Sequence, residues 1–198
     1  MDDAAVGFRV HSGWATAVLL VGTAAAPEVA DSRVVQLADP SVPDSHQPYH
    51  AGLDLPKGET ARTVALLVRS VERFARRSLL DLFNAYRVGG HRLRAVGIVV
   101  GSNADPAMIK NDHVRAHAEE EQLFRVVIQD AAESRGLGLS VTATVERELF
   151  VTASKKLGIP ERRLKEEVGG FGRQLDGPWR AEEKAAALAA WVGLLRRR

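Results

Sequence analysis

The chain has 198 residues, of which 45% are hydrophobic and 26% charged, the composition of an ordinary globular protein that can bury one large core. It contains no cysteine, which excludes disulfides, thiolate metal sites and cysteine nucleophiles. Asp2 and Asp3 have the wrong charge for the start of a signal peptide, and no apolar run is long enough to span a bilayer, so we expect a cytoplasmic protein.

The formal net charge is only +2, but it is unevenly distributed along the chain. Residues 1–56 carry −5, residues 57–149 carry +2 and residues 150–198 carry +5. A basic C-terminal part has two interpretations: it contacts nucleic acid or another polyanion, or it is the solvated surface of amphipathic helices.

The N-terminal third predicts three neighbouring strands, at 5–12, 14–22 and 33–38, with Ser12 and Gly13 as the first turn. Short connections between them favour an antiparallel meander. The next segment, residues 39–58, contains four prolines, and we expect it to be irregular. It also contains His46, Tyr49 and His50, which are candidates for a lid or a phosphate-binding loop.

The middle of the chain alternates helices and strands. Apolar residues at three- and four-residue steps predict a helix over 60–87, with Thr60 as its N-cap, and another over 113–135, which Asp112 would cap. Residues 94–101 form a nearly continuous apolar run, the pattern of a buried parallel strand, and residues 139–145 are a β-branched strand.

Three further helices are predicted in the C-terminal part, at 146–157, 161–168 and 180–195. A meander followed by strand–helix–strand units predicts an α/β fold with one mixed five-stranded sheet and helices on its faces. We expect a core at 1–157 and a C-terminal helical extension at 158–198 packed on that core.

Three stretches resemble a known fold family. They are GFRVHSGWATAVLLVG at 7–22, RAVGIVVGSNADP at 94–106 and VRAHAEEEQLFRVVIQDAAESRGLGLSVTATVERELF at 114–150. In the order of their elements and in their pattern of apolar and polar residues they are similar to the ribonuclease H-like fold, and within it most similar to the Holliday-junction-resolvase-like branch. The resemblance implies an enzyme that binds nucleic acid and uses divalent metal ions.

The resemblance also identifies what is absent. Nucleases of this fold place an aspartate on the first strand, because divalent ions need hard oxygen ligands there. Here that strand offers Arg9, Val10 and His11, and of the family's acids only Glu146 has a match. We therefore interpret the chain as a fold relative that has lost or replaced the nuclease centre. Actin-like ATPases share this core, but the Ser12–Gly13 turn lacks their aspartate and second glycine.

The candidate site lies on the helix over 113–135. Its apolar stripe leads, toward the N-terminus, into His117, Glu120 and Glu121, and polar groups on a core-facing stripe need partners. The resemblance brings His11 and Glu146 to the same sheet end. We predict that these four groups, His11, His117, Glu120 and Glu146, converge as a catalytic site, with a divalent metal of unassigned identity, or as a buried structural network.

Arginines on the helix over 60–87 form a second candidate site. Arg69, Arg73, Arg76 and Arg77 occupy its polar face and, with the terminal residues 196–198, could follow a phosphate backbone. Three functions remain open: a ribonuclease H-like protein that binds nucleic acid or a nucleotide, a metal-dependent nuclease or phosphodiesterase, and a non-catalytic protein whose basic C-terminal helix docks on another protein.

Overall fold

The computed structural model describes residues 2–53, 55–134 and 138–195. The five strands are β1 (Asp2–His11), β2 (Trp14–Thr23), β3 (Ala26–Gln36), β4 (His91–Val100) and β5 (Ser140–Val145). The six α-helices are α1 (Pro48–Ala51), α2 (Lys57–Val88), α3 (Asp112–Glu133), α4 (Leu149–Leu157), α5 (Glu161–Phe171) and α6 (Ala181–Gly193).

All five strands form one mixed sheet in the order β3-β2-β1-β4-β5. The meander β1–β2–β3 is antiparallel, whereas β4 lies parallel to β1 on one side and to β5 on the other. Because β4 is an interior strand, covered on both faces, every residue of Ala95–Val100 except Gly97 has an apolar side chain. The predicted α/β fold and mixed sheet are confirmed.

Each face of the sheet carries its own apolar cluster. Alternate residues of β1, from Ala4 through Phe8 to Val10, pack with α2 and α3. The other set, beginning with Ala5, packs with α4, α5 and α6. Arg9 and His11 belong by alternation to the α6 face, so they point away from α3.

The helix α6 lies unusually close to the sheet, over two glycines. A Cβ built on Gly7 would lie 1.8 Å from the Ala186 carbonyl oxygen, and one on Gly97 would lie 2.6 Å from the Ala189 oxygen. No side chain fits between these backbones. The predicted boundary at residue 157 stays a prediction; helices on both sides of it, α4 and α6, belong to one apolar cluster with the sheet.

The structure corrects four local predictions. β3 begins at Ala26, because an edge strand with an exposed face carries no continuous apolar signal. The proline-rich segment contains two helical turns, Pro43–His46 and α1, since proline is favoured in the first turn of a helix.

The helix α2 begins at Lys57 with Pro56 as its N-cap, so Thr60 lies inside the first turn. Asn111, not Asp112, caps α3: its side-chain oxygen accepts from the Val114 amide at 3.0 Å. No helix in the described part of the chain is both long and apolar enough to cross a membrane.

Candidate functional site

Two polar clusters lie near the carboxyl ends of the parallel strands, on opposite faces of the sheet. The loop after β4 is bonded to α3 there, since the Glu121 carboxylate accepts from the Ser102 amide at 2.8 Å. On the α3 side lie His50, His113, His117 and Glu120, and we call these four residues the histidine cluster.

Glu120 is the buried centre of this cluster. Its side chain is 1% exposed, and its Oε1 accepts two hydrogen bonds from His50: one from the backbone amide at 3.2 Å and one from Nδ1 at 2.8 Å. Because a carboxylate oxygen only accepts, this bond assigns a proton to Nδ1; in the neutral ring the other nitrogen, Nε2, then carries a free lone pair. Glu120 thus connects α1 to α3 across 70 residues of sequence.

Three imidazoles pack together above Glu120. His113 and His117 lie one helical turn apart on α3, and their Nε2 atoms are 3.2 Å apart. The His50 ring lies over both, with ring centroids 4.7 Å from His113 and 4.2 Å from His117. One ring nitrogen from each residue lies within 4.8 Å of the others.

The predicted inward orientation applies to Glu120 and not to His117. Glu120 is fully buried, whereas His113 and His117 are exposed. The single turn α1 packs against α3 on the side of Glu120, so that it shields this carboxylate and buries most of the His50 side chain, while His113 and His117 face solvent. Tyr49, the neighbouring residue of α1, is also half-buried, and its burial raises its pKa, with Glu119 acting in the same direction.

The second cluster lies on the α6 face. Arg9 donates from one guanidinium nitrogen to the Glu146 carboxylate at 2.8 Å and from the other to the Val10 carbonyl at 2.6 Å. His11 stacks on Trp14, with ring centroids 4.1 Å apart and planes 13° from parallel. Burial lowers the pKa of His11, and the Arg9 charge lowers it further, while the Glu182 and Glu146 carboxylates raise it.

The predicted four residues therefore divide between two clusters. Among the described residues, neither His11 nor Glu146 forms a hydrogen bond with His117 or Glu120. His11 and Glu146 share the α6 face with Arg9, and His117 and Glu120 are connected through His50. Whether either set is catalytic stays a prediction.

The divalent ions that ribonuclease H-like nucleases use do not fit the α6-face cluster. Magnesium requires several oxygen ligands in an open octahedral arrangement. Here the first strand offers a guanidinium and an imidazole, and the Glu146 carboxylate is held by Arg9. A second cation at this point would meet the positive charge of Arg9, so the cluster favours the Arg9–Glu146 ion pair over a bound metal ion.

The arginines of α2 lie where the sequence predicts. Arg69, Arg73, Arg76 and Arg77 are all exposed, on the side of α2 opposite the core. Only Arg77 has an acidic partner among the described residues, Asp81 at 4.0 Å, a fully solvated contact that contributes little. Residues 196–198 lie outside the described residues.

Sequence reasoning missed the grouping of His50 with His113. The spacing of His113 and His117, four residues apart on a predicted helix, was a readable signal for a shared face. The position of His50 was not, because it depends on how the proline-rich segment folds against α3. The Ser12–Gly13 turn, compared above with that of the actin-like ATPases, is covered by a side chain: a Cβ on Gly13 would lie 2.7 Å from the His46 ring.

Comparison with known proteins supports the fold. No protein-family model matches this chain, and no curated protein sequence matches it. Among solved structures, Thermus thermophilus RuvC is similar at a TM-score of 0.54 and 11% identity over 96% of this chain and 92% of that chain. T. thermophilus RuvC in complex with a Holliday junction substrate is similar at 0.53 and 10%, over 96% and 90%. The chain has a ribonuclease H-like fold, similar to that of RuvC.

Proposed function

We propose that this protein binds nucleic acid through its ribonuclease H-like fold and does not hydrolyse it by the two-metal mechanism. The fold likeness to RuvC, one structure of which is in complex with a Holliday junction substrate, supports the ligand class. The single observation that supports the absence of two-metal hydrolysis is the ion pair between Arg9 and Glu146.

The physical argument concerns charge on the first strand. The Arg9 side chain is 14% exposed, so its guanidinium is held largely away from water and needs a permanent acceptor. Glu146 supplies it, and a metal ion bound by the same carboxylate would lie beside the fixed positive charge of Arg9, which repels it. Two-metal hydrolysis requires several carboxylates around both ions, and one engaged carboxylate beside a fixed positive charge does not provide them.

The basic face of α2 is the proposed binding surface. Arg69, Arg73 and Arg76 lie along one side of the helix and cover about 10 Å of its length at a rise of about 1.5 Å per residue. Phosphate groups are bound by such solvated arginines through charge, and the affinity then depends strongly on salt. A weakly paired arginine is also free to donate to a phosphate without first breaking an ion pair.

Fluorescence anisotropy with a labelled four-way DNA junction and a matched linear duplex tests this proposal. We expect replacement of Arg69, Arg73, Arg76 and Arg77 by Gln to weaken binding and to reduce the slope of log K against log salt by up to about 3–4, since each phosphate contact contributes about 0.9. A matched control removes four charges elsewhere, at Lys155, Lys156, Arg162 and Arg163 of α4 and α5. Equal losses in both variants, or no binding by the unaltered protein, would contradict the proposed surface.

Incubation of the same substrates with Mg²⁺ or Mn²⁺ tests the non-hydrolytic half. We expect no cleavage product from junction DNA or RNA–DNA hybrid. Cleavage that Glu146→Gln abolishes would overturn the proposal and favour the alternative of a metal-dependent nuclease or phosphodiesterase.

A protein partner bound through the C-terminal helix has less support. Residues Ala185–Trp191 of α6 are buried against the sheet, so the apolar surface of that helix is already occupied within the chain. Deletion of residues 180–198 would therefore remove part of the core as well as any docking surface.

A further inference from the structure

We propose that the histidine cluster is a zinc-type metal site, in which His50, His113 and His117 bind one ion and Glu120 orients His50. This inference does not depend on nucleic-acid binding. It concerns a different face of the sheet from the Arg9–Glu146 pair and a different class of ligand from the oxygens that magnesium needs.

The first argument is ligand geometry. Zinc–imidazole bonds of about 2.0–2.1 Å in a tetrahedral arrangement place two ligand nitrogens about 3.3 Å apart. The Nε2 atoms of His113 and His117 are 3.2 Å apart. Side chains four residues apart on a helix can bind one ion without any change in the backbone conformation, so the His113–His117 pair on α3 needs no rearrangement to do so.

The second argument is the state of the His50 ring. Its Nδ1 is bonded to the Glu120 carboxylate at 2.8 Å, and its Nε2 is buried with no hydrogen-bond partner among the described residues. A buried nitrogen without a partner is costly unless something occupies its lone pair. A carboxylate–histidine pair whose far nitrogen is free is the arrangement that commonly supports a metal-bound histidine, because it fixes the tautomer and the ring orientation.

The third argument is charge and access. A divalent ion on three neutral imidazoles is partly balanced by the buried Glu120 carboxylate, which lies one ring away. His113 and His117 are exposed, so ions can enter from solvent and water can fill the fourth position. Three protein ligands with an open position are typical of sites where zinc binds an exchangeable water or an anionic ligand.

Isothermal titration of the chelator-treated full chain with Zn²⁺, and visible absorption on addition of Co²⁺, test this inference. We expect one ion per chain and a tetrahedral Co²⁺ spectrum. Loss of a hydrogen-bond partner of a metal-bound histidine costs about 10–100-fold in affinity, so we expect that loss for Glu120→Gln and a loss of more than about 100-fold for His113→Ala or His117→Ala. Both histidines are exposed, so these two variants should keep their fold, which circular dichroism checks.

His91→Ala is the matched control, because His91 begins β4 at the opposite end of the sheet. We expect the Zn²⁺ affinity of the His91→Ala variant to stay within about twofold of that of the unaltered protein. Zinc binding that survives the double replacement of His113 and His117 would overturn the assignment. So would an unaltered protein that binds no Zn²⁺ or Co²⁺, or a His91→Ala loss as large as that of His117→Ala.

Discussion

Replacement of Glu120 by Ala is the sharpest test of the packing between α1 and α3. Glu120 accepts two hydrogen bonds from His50, and its side chain is 1% exposed while that of His50 is 15% exposed. The substitution leaves both His50 donors without an acceptor inside the protein. It also removes the connection that holds the single turn α1 over the start of α3.

The expected magnitude follows from these two bonds. A hydrogen bond to a charged group contributes about 1.5–3 kcal/mol, and removal of one partner from a buried pair costs about 3–5 kcal/mol in total. We expect Glu120→Ala to lower the free energy of unfolding by about 3–5 kcal/mol. For a chain of this size that lowers the Tm by roughly 6–20 °C, at about 2–4 °C per kcal/mol. Glu120→Gln keeps an acceptor oxygen and should cost about 2 kcal/mol.

Urea and thermal unfolding, measured with chelator present so that no metal contributes, provide the assay. Glu133→Ala is the control, because Glu133 is an exposed acid in the last turn of α3, and its effect should stay within about 0.5 kcal/mol. A Glu120→Ala loss below about 1 kcal/mol would refute the reasoning, since it would mean that the carboxylate does not hold His50 in solution.

Two further predictions concern the sheet. Gly7→Ala should cost at least about 3 kcal/mol or prevent folding, because its Cβ would meet the Ala186 oxygen at 1.8 Å and α6 would have to move away. Gly169→Ala is the control, because a Cβ on Gly169 in α5 would meet nothing within 4 Å; it should raise the free energy of unfolding by about 0.5–1 kcal/mol through helix propensity. Urea unfolding of both variants tests this, and equal effects would contradict the close packing of α6 on the sheet. Burial lowers the pKa of His11 below its ordinary value of 6.5, so the unfolded state binds the proton more readily than the folded state. The stability that the neutral, buried ring contributes is therefore full above pH 6.5 and is lost as the pH falls toward the folded-state pKa. His11→Gln should therefore flatten the loss of Tm on acidification, and an unchanged pH profile would count against the buried position of this ring.

Local patterns in the sequence determined the elements and the fold class. The apolar run of β4 and the three- and four-residue steps of α2 and α3 are set by whether each face of an element is buried, and that periodicity is readable one element at a time. The order of elements then left few topologies, since connections are short and crossovers right-handed. The sequence also identified Glu120 as a polar residue on an apolar stripe, which needs a partner.

Only the tertiary structure decided which partner Glu120 has. His50 lies 70 residues away, on a turn whose place against α3 depends on how a proline-rich segment packs, and no periodicity encodes that contact. The same holds for Arg9 and Glu146, which are 137 residues apart and meet because β1 and β5 both pair with β4. Spacing along an element is fixed by its local geometry, whereas contact between elements depends on packing over the whole core. The sequence could therefore place acids and histidines near one sheet end without dividing them between its two faces.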